Sequence, residues 1–384
     1  MTPEKGEKCY FCEDEAKKEM KEKLLGKNPE ELKAVALAAG LPAFAGKQIA
    51  QWMYEKRVHS IDEMTNISKA GREKLAELYD LGVSTPVGVA ESKDGTKKYL
   101  FPARCPVAAG HDTSETVHDT PKNVIPDLIG DLQYVESVMI PDEDRKTLCV
   151  SSQAGCKMGC KFCMTGRQGF HGNLTPADIL NQFISIDESA GLTNAVFMGM
   201  GEPLDNTDNV LKAIEVLTAP WGFAWSPKRV TLSTIGVLPN LKRFLDESRC
   251  HLAISIHNPF PDERLELMPV QKAWPVAEVV RLLKNYDWTA QRRVSFEYTM
   301  FAGWNDSMRH ADALARLLRD IECRVNLIRF HKIPDFPYEC ASPRAMEAFQ
   351  NRLNSNGITC TIRASRGEDI LAACGMLAGK HNKQ

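Results

Sequence analysis

The chain has 384 residues, 43% of them hydrophobic, and carries 48 Lys+Arg against 50 Asp+Glu; this is enough to bury a large core in two or three units, and the formal net charge of −2 does not mark a general binder of polyanions. No run approaches the ~18 apolar residues of a membrane-spanning helix, and the opening MTPEKGEKCYFCEDEAKKE has no apolar signal core, so the expectation is a cytoplasmic protein with no membrane segment. Twelve cysteines diluted in so long and charged a chain point to metal, redox or catalytic use rather than a disulfide scaffold.

Residues 1–25 read as a polar Lys/Glu-rich extension. Cys9 and Cys12 within it form a lone CxxC, half a zinc site with no second pair beside it, and receive no chemistry. From 26 to 84 the apolar spacing is helical, through Leu32, Val35, Leu37, then Ile49, Trp52, Met53, then Leu75, Leu78 and Tyr79. This predicts a small helical accessory domain, with Asp62 and Asn66–Ser68 as helix caps. Lys47, Lys56 and Arg57 beside Gln51 and Trp52 suit either phosphate contacts or ordinary surface cations around a packed tryptophan, and the letters alone favour the second.

Residues 85–140 read as a strand-rich linker. Pro86 to Phe101 alternates, with a Lys-Asp-Gly turn at Gly95 that suggests a hairpin. The stretch 103–133 has no steady period and is taken as an insertion, in which His111 and His118 are polar surface. Tyr134 to Ile140 is the next strand, with Glu136 on the same face as Val138 and Ile140. Glu136 is then either a desolvated carboxylate suited to act as a general base or a strand-edge glutamate turned to water, and both readings stay open.

Next comes CVSSQAGCKMGCKFC, from Cys149 to Cys163. Its Cys156, Cys160 and Cys163 form CxxxCxxC. Three thiolates on one loop can hold three irons of a [4Fe–4S] cluster and leave the fourth open to a ligand, the arrangement of radical S-adenosylmethionine (SAM) enzymes. A structural zinc calls instead for paired CxxC units, and no second pair lies near. Beyond the loop, strands at 194–198, 230–233, 251–257, 294–300 and 323–330 alternate with helices near 206–218, 238–247, 275–286, 307–320 and 343–355, after a first helix opened by Thr175-Pro176. The fold class is therefore α/β, a partial (β/α)6 TIM-like barrel over 141–340 with the helical amino-terminal domain before it and a carboxyl-terminal extension, 341–384, behind it. Chemistry in such sheets collects at the carboxyl ends of strands, here Gly201-Glu202, Ser233-Thr234, Ser255-Ile256-His257 and Asn326 to His331. The glycines of GMGEP are expected to let backbone carbonyls approach a ligand amine. Cys374, in a small-residue run near the end, reads by itself as a buried cysteine.

At CVSSQAGCKMGCKFC, GMGEPL, VTLSTIG, SIHNP and RGEDILAACGMLAG the sequence resembles the RlmN/Cfr family of radical SAM RNA methyltransferases, nearest its RlmN branch, from about Leu24 to Gly379. The resemblance implies one [4Fe–4S] cluster on Cys156, Cys160 and Cys163. It also implies SAM, two per turnover, held near Gly201, Glu202, Ser233, Ser255, Ile256, His257 and His331. Cys374 would take a methyl group, Glu136 would accept a proton, and Cys149 would close a transient disulfide with Cys374. Carbon 2 of adenine is electrophilic and has no lone pair, so direct methyl-cation transfer fails and a carrier thiol and a releasing thiol are both needed. The implied partners are 23S rRNA and tRNA, with a reducing electron donor such as flavodoxin, for a monomer. Lys228, Arg229, Arg292, Arg293, Arg344 and Arg366 are candidate phosphate contacts, each equally readable as solvated surface. The chain departs from the family pattern at His331-Lys332, where an Asn-Pro pair is usual; His keeps the hydrogen-bonding capacity. Competing readings are methylation at carbon 8 of the rRNA adenosine, a radical SAM activase of a protein partner, which needs neither Cys149 nor Cys374, and a non-catalytic iron–sulfur or zinc-stabilised RNA-binding protein.

Overall fold

The computed structural model describes residues 21–104, 132–288 and 294–370. Local signals set the amino-terminal helices. Asn28 and Glu31 form a reciprocal capping box at the start of α1 (Pro29–Ala38), with proline in its first turn. Helix α2 (Ala45–Ala50) runs on into a π-helical turn over Gln51–Glu55, and Ser68 caps α3 (Lys69–Leu78). Asp62 is not a helix cap: it lies inside a short 3-10 turn whose own cap is Ser60. Lys56 stacks 3.5 Å from the Trp52 ring, and Arg57 lies 4.4 Å from the Phe223 ring and donates to Ser189, so both cations are engaged within the protein.

A single ten-stranded sheet follows: β1 (Gly88–Glu91), β2 (Lys97–Arg104), β3 (Leu132–Asp142), β4 (Arg145–Cys149), β5 (Asn194–Phe197), β6 (Val230–Thr234), β7 (His251–Ser255), β8 (Val294–Met300), β9 (Cys323–Arg329) and β10 (Thr359–Ile362), paired in chain order. β1 to β4 pair antiparallel; β4 to β10 pair parallel. The crossovers carry α4 (Met164–Arg167) and α5 (Pro176–Ile184), α6 (Thr207–Thr218), α7 (Leu238–Glu247), α8 (Pro261–Leu267) and α9 (Val276–Lys284), α10 (Met308–Leu318), and α11 (Pro343–Ser355).

The sheet curls. Strands ~4.8 Å apart in a flat sheet would put β3 and β10 about 34 Å from each other. Instead Arg366, just past β10, comes within 3.4 Å of Asp142 at the end of β3, and one cavity of about 1080 Å³ is lined from both edges. The expected six-stranded partial barrel is β4 to β9. The parallel layer does not stop at residue 340, because β10 adds a seventh strand beyond it. Neither β4 nor β10 was legible: RKTLC reads as a charged approach to the cysteine loop, and TCTI is four residues long.

β2 and β3 pair as far as Arg104 opposite Leu132, so the expected insertion leaves and re-enters the sheet at facing positions. Its interior, with His111 and His118, lies outside the described residues.

The ladder registers sort the two faces. Lys98, Val138, Cys149, Val196, Thr231 and His251 form one row across six strands, β2 to β7. This face looks into the lumen and is largely polar, with Ser233, Ser255, Glu297 and Asn326 on it. The other face, with Leu148, Phe197, Leu232, Ile254, Phe296 and Val325, is fully buried under the helices. Where closed barrels fill their interior with branched apolar side chains, this one keeps a polar lumen open to a ligand.

Candidate active site

The cysteine loop is fastened to the sheet before it turns. Val150 N donates to Val196 O at 2.9 Å, Gly199 N to Val150 O at 3.1 Å, and Ser152 N and Gln153 N both reach Met200 O, at 2.9 and 3.1 Å. A Cβ on Gly199 would stand 2.7 Å from the Val150 carbonyl, and one on Gly201, at φ +100°, would stand 2.5 Å from Gln153 Cβ. The glycines of GMGEP are therefore required by the close approach of the chain's own 150–153 segment, a reason different from the expected opening toward a ligand amine.

Further along, Cys156 N donates to Gly169 O at 2.7 Å, Cys163 N to Cys160 O at 3.1 Å, and Lys161 N to Leu267 O at 2.9 Å. Cys156 and Cys160 are buried and Cys163 half-buried. Burial first, then the Cys163 thiolate, pushes the Cys156 thiol up to about 12; Cys160 is raised by burial and by both neighbouring thiolates. Three thiols on one anchored loop, two of them held protonated by burial and by their neighbours, suit a cationic cluster, since metal binding requires and stabilises the thiolates. Among the described residues no three His, Cys, Asp or Glu side chains are drawn together as ligands of a single ion. A cubane takes each thiolate on a different iron.

The carboxyl ends of the parallel strands surround this loop. Glu202, at the end of β5, is buried; its carboxylate accepts from Thr234 Oγ1 (2.6 Å), Ile235 N (3.0 Å) and Leu204 N (3.0 Å), while burial pushes it up to about 7. Ser233 Oγ lies 3.4 Å from Ser255 Oγ. The carbonyls of Ser255 and Ile256 accept from Arg264 at 3.2 and 3.0 Å, and Arg264 also donates to Gln271 at 2.6 Å. Arg264 is 1% exposed, and burial lowers its guanidinium to about 10. His257 has φ +55° and stands edge-on to Phe162, ring centroids 5.0 Å apart. Its Nδ1 accepts from Thr299 N at 3.0 Å, and burial pushes the ring down to about 3, so it is neutral with its proton on Nε2. His331 is half-buried in the loop directly after β9.

Two further groups lie on the lumen face. Cys149 is buried at the end of β4. Glu136 on β3 is 2% exposed and pairs with Lys98 of β2, Nζ to Oε2 2.6 Å, which removes the reading of an edge glutamate turned to water. The Glu136 carbonyl accepts from Ser151 Oγ at 2.5 Å, and that hydroxyl accepts from Met200 N at 2.8 Å, tying this strand to the GMGEP turn. Sequence reasoning missed Lys98, Arg264 and Glu297. Their signal was a charge set in an apolar strand or amphipathic helix, as in VSFEYTM. Glu297 Oε1 accepts from Asn326 at 2.7 Å, whereas its buried Oε2 has no hydrogen-bond partner among the described residues.

At the amino ends of the strands the cavity opens between six basic side chains and two acidic ones, Asp142 and Glu322. Lys228, Arg229 and Arg366 of the candidate phosphate contacts line it; Arg344, at the start of α11, does not. Arg292, Arg293 and Cys374 lie outside the described residues. The segment leading to Cys374 is held by the β1–β2 turn: Ser92 Oγ and Lys93 N donate to the Asp369 carboxylate at 2.5 and 3.2 Å, and Gly367 N donates to Asp94 at 3.0 Å.

Residues 150–315 match the Radical SAM superfamily, and residues 22–81 match the ribosomal RNA large subunit methyltransferase N-terminal domain. The chain is 58% identical over 355 residues to a probable dual-specificity RNA methyltransferase RlmN of Porphyromonas gingivalis, covering 92% of this chain and 96% of that one. It belongs to the RlmN family of radical SAM RNA methyltransferases. An RlmN-named relative from Parabacteroides distasonis is 55% identical, over 94% of this chain and 98% of its own. The crystal structure of a radical SAM methyltransferase from Sphaerobacter thermophilus superposes with a TM-score of 0.81 at 35% identity, covering 92% of this chain and 98% of that one. Radical SAM proteins use a [4Fe–4S] cluster and SAM, and the thiol loop and polar lumen described above fit both. Among the described residues no helix is long and apolar enough to cross a membrane.

Proposed function

We propose that this RlmN-family enzyme methylates carbon 2 of adenosine in 23S rRNA and in tRNA next to the anticodon, using Cys374 as methyl carrier. The observation that carries the reading is the shared lumen face of Glu136 and Cys149, a buried carboxylate and a buried thiol on adjacent strands. This reaction needs a proton acceptor and a releasing thiol, and two side chains of those types on one face of neighbouring strands support the assignment.

Cys156, Cys160 and Cys163 would hold the cluster. Bound there, cluster and SAM supply the methyl group and the one-electron chemistry that activates it. The carboxylate of Glu202 is fully engaged by Thr234, Ile235 and Leu204, so Gly201-Glu202 meets SAM through its main chain. His257 offers Nε2–H as a donor, Ser233 and Ser255 offer hydroxyls, and His331 closes the set; Glu297 Oε2 is an acceptor left for a ligand donor.

An adenosine has to leave its stack to enter the lumen, and the basic mouth neutralises the phosphates on either side of it. Once the base is joined to Cys374 through the methylene, Glu136 accepts the ring proton. The Cys149 thiolate then attacks the Cys374 sulfur, an S–S bond forms as the S–C bond breaks, and the electron pair left on carbon takes a proton to complete the methyl group. A donor such as flavodoxin supplies reducing equivalents, and the enzyme works as a monomer.

The test is mass spectrometry of RNA nucleosides and of the Cys374 peptide after anaerobic reaction with cluster and SAM. We expect 2-methyladenosine together with a methyl mark on Cys374. 8-Methyladenosine would move the target to the other carbon, and absence of both marks would overturn the reading.

A further inference from the structure

Glu136 is held in a way its role as a base does not by itself explain. Its strand is covered on both faces, with Val135, Ser137, Val138 and Met139 all buried around it. An ion there carries a large desolvation penalty unless a counter-charge stands close. Lys98 supplies that charge, and its own side chain is 0% exposed, a state lysine adopts almost only when paired. The ladder places Lys98 opposite Val138, so it reaches Glu136 along the diagonal of the β2–β3 pair. Cys149 lies opposite the same Val138 from the other side. Ammonium, carboxylate and thiol thus share one face of three consecutive strands. A buried pair kept only for stability has no advantage over apolar side chains of similar volume. On the face that receives the substrate, the pair has a further use.

We propose that Lys98 is the positioning residue of Glu136, holding its carboxylate directed into the lumen for the proton transfer that follows attachment of the RNA base. This rests on the reading of Glu136 as that base. Lys98 touches neither RNA nor cofactor in this role. Its loss acts through Glu136 and leaves the earlier methylation of Cys374 intact.

The experiment compares Lys98→Met, Glu136→Gln and the double variant in full-length, cluster-loaded enzyme. It reads Cys374 methylation, RNA-linked protein on denaturing gels, and methylated nucleoside. Lys98→Met should keep Cys374 methylation within about twofold, lower the nucleoside product about a hundredfold and accumulate RNA-linked protein, as loss of a general base does. The double variant should be no worse than Glu136→Gln, because the two residues act as one unit. Lys98→Arg should recover at least ~10-fold over Lys98→Met, as the charge is retained. Should Lys98→Met not fold, Lys98→Gln carries the same comparison, and the double variant, with both charges gone, reports on the fold. Wild-type product from the neutral variant, or losses that multiply in the double variant, would overturn the proposal. If Glu136→Gln itself gives normal product, the reading of the base fails first. If Glu136→Gln stalls with RNA attached while Lys98→Met turns over normally, only the role of Lys98 fails.

Discussion

The parallel and antiparallel parts of the sheet share β4 and differ in what they hold. On the parallel side, several groups at the ends of β5 to β7 hold one another in place, as Thr234 and Ile235 hold Glu202, and Arg264 the Ser255 and Ile256 carbonyls. That side is a finished cradle beside the thiol loop. On the antiparallel side, β2 to β4 present an ion pair and a thiol to the same lumen, and the β1–β2 turn grips the segment leading to Cys374. On the function proposed above, the contrast separates two tasks: the parallel strands would hold what any radical SAM protein needs, whereas the antiparallel strands would hold the proton and sulfur chemistry of a cysteine-borne methyl group.

Four changes test that division. Cys160→Ala, on the parallel side, should reduce iron per chain to background and abolish methylation of both Cys374 and RNA, read by iron assay and mass spectrometry. Cys149→Ala, on the antiparallel side, should keep iron and Cys374 methylation but stop release, so that RNA-linked protein accumulates; loss of iron in this variant would break the comparison. Gly199→Ala strikes the seam between the two parts, where a Cβ would meet the Val150 carbonyl at 2.7 Å, and should cost about 1–3 kcal/mol in urea unfolding. The smallest effect is expected from Asp94→Asn. Backbone N–H groups of Gly367 and Thr96 hold the Asp94 carboxyl well below the ordinary range, so its grip is complete above the unfolded carboxyl value of ~3.9 and fades as pH falls below it. The variant should raise amide exchange at Gly367 at neutral pH with little change in melting temperature, and the wild type should show the same rise only in acid.

Much of the parallel part was legible because its signals are local. Pro239 and Pro343 in the first turns and a clean apolar stripe place α7 and α11 at 238–247 and 343–355, as read, and VSFEYTM gives β8 to the residue. The thiol spacing lies within one loop and needs no tertiary knowledge. The antiparallel part was harder, because what matters there is register. Alternation says which face Glu136 is on but not that Lys98 stands diagonal to it, and that pairing is fixed by how β2 and β3 meet across residues 105–131. Glu202 was picked out for its position, yet its engagement with the end of β6 depends on two strands joined through a helix. The glycines of GMGEP were singled out for a ligand amine, and their close packing against Val150 and Gln153 is a reason that only the folded chain shows.

The pairing of all ten strands in chain order has a consequence for how the molecule is made. Each new strand can dock on the edge just completed as the chain leaves the ribosome, with no earlier strand waiting for a distant partner. The clasp between Asp94 and Gly367 joins positions 273 residues apart and has to wait for the chain beyond β10. A nascent chain that stops after β10 would possess every ladder of the sheet but not this clasp. The cradle would then exist before Gly367 and Asp369 are moored to the β1–β2 turn.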